Sequence, residues 1–190
     1  MPTMNISYVP DQQKIIETAL WFLNRSKRTD LHSILKELFY SDKFHINKYG
    51  RPVSGDYYVK MDYGPVGSYA YDLLKHNRIS EYVKRQRFTP DILENAIRSF
   101  NCSDPLKIQP LRTEDFDYFS KTDIECMEMA LSKCDGCGFD ELIKITHCEP
   151  AWQKADMNGD MNFEDFIDQD TPNREELLEY IKESSECLAL

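Results

Sequence analysis

KFHINKYGRPVSGDYYVKMDYGPVGSYAYDLLK, residues 43–75, is the stretch of this chain that decides its fold. A helical pattern runs into Gly50, where glycine permits the positive φ that often ends a helix, and Pro52 prevents the helix from resuming. Gly64 and Pro65 mark a second corner, after which apolar residues recur at helical spacing, and proline is tolerated in a first helical turn. The stretch therefore predicts a helix end, a hairpin and a helix start.

Between the two corners, residues 57–63 alternate in the period-2 pattern of a half-buried strand. One face carries Tyr57, Val59, Met61 and Tyr63, and the other carries Tyr58, Lys60 and Asp62. Because the first face is apolar or aromatic throughout and the second is mixed, we assign the first face to the core and the second to the surface.

Helical periodicity dominates the rest of the chain, and its apolar stripes follow helix-start signals such as Thr89-Pro90 and Ser120. A short extended segment near residues 106–111 is a candidate to pair with the hairpin. The sequence predicts a mainly α-helical α+β fold, in which about seven helices pack around a small antiparallel sheet. That sheet consists of a hairpin near residues 55–65 and a further strand near residues 106–111.

The composition favours a single cytoplasmic domain. With 190 residues and 41% hydrophobic content, the chain can bury one good core. No run approaches the roughly 18 consecutive apolar residues of a membrane span, and residues 1–10 lack the features of a signal peptide. In a reducing compartment the six cysteines are predicted to be free thiols. A net charge of −10 and the lack of an evident basic helix disfavour nucleic acid as a partner.

Three segments of the chain resemble one known family. They are YGRPVSGDYYVKMDYGPVGSYAYDLLK from Tyr49, LRTEDFDYFSKTDIECME from Leu111, and residues 139–155, where a helix ends in threonine and histidine before Pro-x-Trp. Together they are similar to the Panacea domain, the SocA-like antitoxin family of bacterial and phage toxin–antitoxin modules. The residues that carry the family's fold signature are Gly50, Pro52, Gly55, Tyr63, Gly64, Pro65, His147, Pro150 and Trp152. Gly67 departs from the pattern, since the family usually has proline there.

The resemblance implies a division of the chain and a function. It implies a Panacea domain over residues 1–168, followed over residues 169–190 by an acidic C-terminal helix or tail without a counterpart in the family. It also implies an antitoxin, without enzymatic activity or cofactor, that neutralises a cognate protein toxin by direct contact. For the SocA-like branch it further implies a proteolytic adaptor that presents the toxin to an ATP-dependent protease.

Tyrosines are the best candidates for contacting such a partner, because they offer a large area with a polar tip at little entropic cost. Tyr58 is the leading candidate, since the pattern places it on the exposed strand face beside Lys60. Arg51 and Asp56 precede the strand and are predicted to add charged rim contacts, which steer encounter more than they add affinity. The alternative is that the alternating tyrosines only cover the small sheet.

Four residues with zinc-binding side chains lie close together in sequence: Cys134, Cys137, His147 and Cys148. They define the alternative hypothesis, which is a zinc-dependent phage accessory protein or enzyme. Against it, residues 139–146 have the pattern of a helix whose apolar face requires burial. We therefore predict no zinc and interpret His147 as a helix-end histidine that bonds carbonyls or packs against Trp152.

The segment Asp156–Asp160 imitates the start of a calcium-binding loop, with oxygen-bearing side chains at alternate positions. A twelve-residue calcium loop needs glycine at its sixth position and glutamate at its twelfth. Met161 and Ile167 occupy these two positions. The sequence thus predicts a polar turn without calcium.

Overall fold

The computed structural model describes residue 6 and residues 8–188, with side chains described as far as residue 183. The nine α-helices in this part of the chain are α1 (Gln12–Leu23), α2 (Leu31–Tyr49), α3 (Ser68–Leu73), α4 (Glu81–Arg87), α5 (Pro90–Ser99), α6 (Lys121–Cys134), α7 (Phe139–His147), α8 (Pro150–Lys154) and α9 (Arg174–Leu188). The four strands are β1 (Tyr58–Met61), β2 (Gly64–Gly67), β3 (Phe100–Asn101) and β4 (Gln109–Pro110). Short 3₁₀ helices cover Phe116–Tyr118 and Phe163–Phe166. The mainly helical fold with small antiparallel sheets is confirmed.

Helix α2 is the central element of the core. Asp30 caps its start by accepting a hydrogen bond from the backbone N–H of Ser33 at 3.0 Å, and Gly50 ends it with a φ of 72°. Helices α1, α6 and α7 and strand β2 pack around it. Because it is covered on several sides, α2 buries titratable as well as apolar side chains. The titratable ones are Lys36, Glu37, Tyr40, Asp42, Lys43 and His45.

Strands β1 and β2 form the predicted hairpin, with Tyr58 opposite Gly67 and Lys60 opposite Pro65. The helix start predicted at Pro65 is wrong, since Pro65 lies in β2 and α3 begins at Ser68. A proline lacks the N–H that a central strand donates, but it is tolerated in an edge strand such as β2. The hairpin therefore extends to residue 67 before the chain turns into α3.

A segment beyond the predicted strands pairs with the other edge of β1. The backbone N–H of Lys60 donates to the carbonyl of Gly159 at 3.0 Å, and the N–H of Met161 donates to the carbonyl of Tyr58 at 2.8 Å. Strand β1 is thus hydrogen-bonded on both edges, which fixes it more firmly than an isolated hairpin strand would be.

The expected pairing of residues 106–111 with the hairpin is wrong. Strand β4, within that segment, pairs instead with β3, which places Phe100 opposite Pro110 and Asn101 opposite Gln109. Strand β3 follows α5 directly, and the chain returns to it after a short loop. Local closure of a short loop costs less entropy than a pairing with the distant hairpin.

Helix α4 differs from expectation, whereas the C-terminal helix was expected. Helix α4 was not predicted; it is basic, with Lys84, Arg85 and Arg87, and contains no buried residue. The predicted C-terminal helix begins at Arg174, and its Ile181 is 1% exposed, so α9 docks on the rest of the chain. The division at residue 168 stays a prediction. Among the described residues, the helices are too short or too polar to cross a membrane.

Candidate partner-binding site

The first signature corner is a structural joint between α2, α6 and α9. A side chain at Gly50 would approach the ring of Tyr180 to 2.8 Å, so this position needs glycine for space as well as for its positive φ. Arg51, predicted as a rim contact, places its Nη1 3.0 Å from Oδ1 of Asp123 and donates from Nη2 to Ser120 at 3.2 Å. Its side chain is still 45% exposed.

The same joint brings a histidine, a carboxylate and a hydroxyl together. His45 Nε2 lies 3.2 Å from Asp123 Oδ1 and 3.0 Å from Thr122 Oγ1, while Nδ1 lies 2.7 Å from the carbonyl of Arg51. In a hydrolase triad the carboxylate and the hydroxyl contact opposite ring nitrogens. Here both contact Nε2, and the ring is fully buried, so the arrangement clamps the corner and does not form a catalytic relay.

The predicted strand faces are inverted. Tyr58 is 1% exposed, whereas Tyr57 and Tyr63, which were assigned to the core, are 40% and 61% exposed. Tyr58 lies against α2, where its hydroxyl donates to Asp42 Oδ2 at 3.0 Å. The buried acceptor satisfies the polar tip of the tyrosine, and the ring can then enter the core. In this structure Tyr58 does not present a surface to a partner.

Asp56, also predicted as a rim contact, is buried and caps α3. Its carboxylate accepts hydrogen bonds from the backbone N–H groups of Tyr69 at 2.9 Å and Ala70 at 2.8 Å. Burial raises the pKa of Asp56 to about 7, although these hydrogen bonds favour the charged form. Asp56 therefore joins the hairpin to α3. Like Tyr58 it is buried, so its predicted role as a surface contact is wrong.

The hairpin tip, which we define as residues 61–65, is held through its backbone carbonyls. Trp152 Nε1 donates to the carbonyl of residue 61 at 3.2 Å. His32 Nε2 donates to the carbonyl of residue 63 at 3.1 Å, and Lys36 Nζ donates to that of residue 65 at 2.8 Å. Three side chains from two helices thus fix a loop in which the side chains of residues 61–63 stay exposed.

Stacked side chains support the tip from the α8 side. The rings of His147 and Trp152 are parallel within 12° at 3.7 Å, which confirms the interpretation of His147 as a packing residue. Lys60 Nζ lies 4.3 Å from the centre of the Trp152 ring and donates to the carbonyl of Ala155 at 2.9 Å. The signature residues of this region therefore support the hairpin.

Gly64 lies close against Thr146 and Lys36, two buried residues of the core. A Cβ atom at Gly64, whose φ is 98°, would lie 2.5 Å from Thr146 Oγ1 and 3.0 Å from Lys36 Cε. Lys36 is 1% exposed, and burial lowers its pKa to about 7. The backbone of the tip thus lies directly on a buried amine, at a position where only glycine fits.

Beside the tip lies an apolar groove with a volume of about 720 Å³. Its lining residues come from α2, the hairpin, the loop after β3 and the start of α7, and they include Leu35, Met61, Tyr63, Val66, Leu106 and Phe139. Tyr63 is 61% exposed, Leu106 is 77% exposed and Phe139 is 40% exposed. Large apolar side chains that gather around a concave surface mark an interaction site more than a solvated face does.

Aromatic contacts order this groove. The ring of Phe139 lies 5.4 Å from that of Tyr63 and 4.4 Å from that of His32. Sequence reasoning assigned Tyr63 to the core and did not single out Leu106, Phe139 or His32. These residues are far apart in sequence, so no periodicity connects them.

The groove contains few polar groups. Arg28 and Asp30 are paired, with Nε and Oδ2 3.1 Å apart, whereas the exposed carboxylate of Asp62 has no partner among the described residues. His32 Nδ1 is buried and also lacks a hydrogen-bond partner there. Burial and the nearby Lys36 lower the pKa of His32 to about 4, so the ring is neutral at physiological pH.

The potential metal ligands do not form a site. In the described part of the chain, no three His, Cys, Asp or Glu side chains gather in a way that could hold a metal ion. Cys134 is buried, while Cys148 is exposed and His147 is stacked on Trp152. The alternative hypothesis that depends on Cys134, Cys137, His147 and Cys148 as one cluster therefore has no geometric basis.

The calcium-like segment has a structural role. Asn158 adopts a φ of 61°, and the N–H of Gly159 donates to the carbonyl of Asp156 at 2.8 Å, which makes a tight turn after α8. This turn delivers residues 158–161 to the free edge of β1. Its polar residues thus form a turn that places an extended segment beside β1 of the hairpin.

A mainly helical domain that holds a hairpin firmly and presents an apolar groove beside it has the features of a protein-binding module. The family model for the SocA-like antitoxin, Panacea domain, matches residues 34–153 of this chain. The match spans more than half of the 190 residues, so the chain belongs to this family, as the resemblance implied. No curated protein and no solved structure matches it. The matched range includes the hairpin and the residues that hold its tip, except His32.

Proposed function

We propose that this chain neutralises a cognate protein toxin by binding it directly at the groove beside the hairpin tip, without catalysis. The observation that carries the proposal is the exposure of Tyr63, Leu106 and Phe139 around one concave apolar surface. Clustered aromatic and aliphatic side chains are typical anchors of tight protein complexes. Membership of an antitoxin family supplies the class of partner.

The test uses purified cognate toxin and variants at the groove. Tyr63→Ala and Leu106→Ser together should weaken binding by at least about 2 kcal/mol, roughly thirtyfold, while the fold is retained, because both side chains are mainly exposed. The matched control is Tyr82→Ala, since Tyr82 is 74% exposed on α4, away from the groove. Calorimetry gives the affinity, and coexpression gives neutralisation in cells. Equal neutralisation by the double variant and the control would contradict the proposal.

None of the four residues predicted from sequence as partner contacts lines the groove. Tyr58 and Asp56 are buried, so substituting them tests stability. Arg51 and Lys60 keep partly exposed side chains, and a contact of either with the toxin stays a prediction. Arg51→Ala and Lys60→Ala belong in the same binding assay, with circular dichroism to check the fold.

We also propose that the bound toxin is passed to an ATP-dependent protease, a step that the family resemblance implies. None of the described side chains of α9 lines the groove, so this acidic helix leaves room for a second partner while a toxin is bound. The toxin's half-life, measured with and without this protein in cells that lack each such protease, tests the step. A half-life that is the same in all strains would contradict delivery while leaving direct binding intact.

A further inference from the structure

The shape of the groove points to a segment of a larger partner as its occupant. The volume of about 720 Å³ accommodates several side chains, yet Leu106 and Tyr63 project mainly into solvent. A small ligand is usually enclosed by its pocket, whereas anchors that protrude at the rim are covered only by a macromolecular surface.

The charges around the groove determine which charge the bound segment should carry. Asp30 neutralises Arg28, so the one lining charge without a partner, in the part of the chain that the structure describes, is the carboxylate of Asp62. Of the exposed residues adjacent in sequence to the lining, Asp104 and Lys107 offset each other, Lys27 is paired with Asp135, and Asp140 adds a negative charge. A cation also lies beside the lining, since Lys75 Nζ donates to the hydroxyl of the lining residue Tyr71, and Asp62 and Asp140 together outweigh it. The chain as a whole carries −10. A cationic segment is therefore complementary and an acidic one is repelled.

Resting on the proposed antitoxin function, we propose that the groove binds a basic amphipathic segment of the toxin. An apolar side chain of that segment lies between Tyr63, Leu106 and Phe139, and a lysine or arginine next to it pairs with Asp62. The ligand of the site is thus defined by its chemistry: it is a segment with one apolar face and a cationic side chain beside that face.

Two synthetic amphipathic peptides test this inference without the toxin. Both have the same face of leucine and phenylalanine, and their polar faces carry either lysines or glutamates. At about 0.15 M salt, where long-range attraction is screened, the full chain should bind the lysine peptide about tenfold more tightly. Fluorescence anisotropy of the labelled peptides measures both affinities, and Tyr63→Ala should weaken both.

Charge reversal identifies the residue responsible. Asp62→Lys should remove the preference for the lysine peptide, whereas Asp117→Lys, the same change at another exposed aspartate that does not line the groove, should keep it. Equal affinity for the two peptides, no binding of either, or a preference that survives Asp62→Lys would overturn the inference. If toxin binding is nevertheless lost in the Tyr63→Ala, Leu106→Ser variant, only the charge preference fails. If toxin binding survives in that variant, the proposed function fails as well.

Discussion

The two ends of the hairpin are held in opposite ways. At its base, Asp56 and Tyr58 are buried, and their side chains form the bonds to α3 and α2. At its tip, the bonds run to the backbone carbonyls of residues 61, 63 and 65, while Met61 and Tyr63 are 37% and 61% exposed. The base therefore fixes side-chain identity for folding, and positions 61–63 of the tip leave it free for recognition.

This difference teaches that a family signature and a contact surface need not coincide. Gly50, Asp56 and Gly64 belong to the joints of the fold. The groove combines one signature residue, Tyr63, with Leu106 and Phe139, which lie outside the hairpin. Substitutions at the base and at Gly64 should change stability, and substitutions at positions 61–63 of the tip should change binding.

The largest effect is expected where the tip touches the core. Gly64→Val should prevent folding, because its φ of 98° disfavours a β-branched residue and its Cβ would lie 2.5 Å from Thr146 Oγ1. The matched control is Gly136→Val, which has a φ of 95° but no atom within 4 Å, and backbone strain alone should cost about 1–3 kcal/mol. Circular dichroism and urea unfolding distinguish them. Equal losses in the two variants would show that the contact with Thr146 is unimportant.

Tyr58→Ala at the base should be the next most damaging change. It removes a large ring that is 1% exposed and leaves the Asp42 carboxylate with the Ser54 hydroxyl but without that of Tyr58, so a loss of about 3–5 kcal/mol is expected. Tyr58→Phe keeps the ring and should cost about 1–3 kcal/mol. Urea unfolding at pH 7 measures both. A Tyr58→Ala variant of wild-type stability would refute the burial of this side chain.

Lys36 provides a pH test of how the second strand of the hairpin is held. Burial lowers its pKa from 10.5 to about 7, so between these values the unfolded chain carries a proton that the folded chain lacks. The contribution of neutral Lys36 to the free energy of unfolding is therefore complete above pH 10.5. It decreases as the pH falls from 10.5 towards 7 and is lost below 7. From pH 7 to pH 9 the free energy of unfolding should rise by about 2 kcal/mol more in the wild type than in Lys36→Met. Parallel pH dependence in the two proteins would mean that Lys36 stays charged when folded.

The smallest effect on stability is expected at Tyr63. Tyr63→Ala should change the free energy of unfolding by less than about 1 kcal/mol, because the side chain is 61% exposed and its carbonyl still accepts from His32. The same unfolding assay provides the comparison with Tyr58→Ala. If the two losses were similar, the contrast between base and tip would be wrong.

The local part of this structure could be predicted from sequence. Glycine and proline mark the corners through their own backbone preferences, and the His147–Trp152 stack joins residues five apart in the chain. The strand faces could not be assigned, because the burial of Tyr58 depends on Asp42 in another element. The groove could not be found either, since His32, Leu106 and Phe139 meet only after folding.

The carbonyl bonds at the tip have an evolutionary consequence. Every amino acid presents the same carbonyl group, so Trp152 and His32 hold positions 61 and 63 whichever side chains stand there. Mutation can therefore exchange these two side chains without removing any of the bonds that hold the loop. A lineage with this arrangement can acquire a new partner by substituting a few residues of the tip, while the fold that presents them stays unchanged.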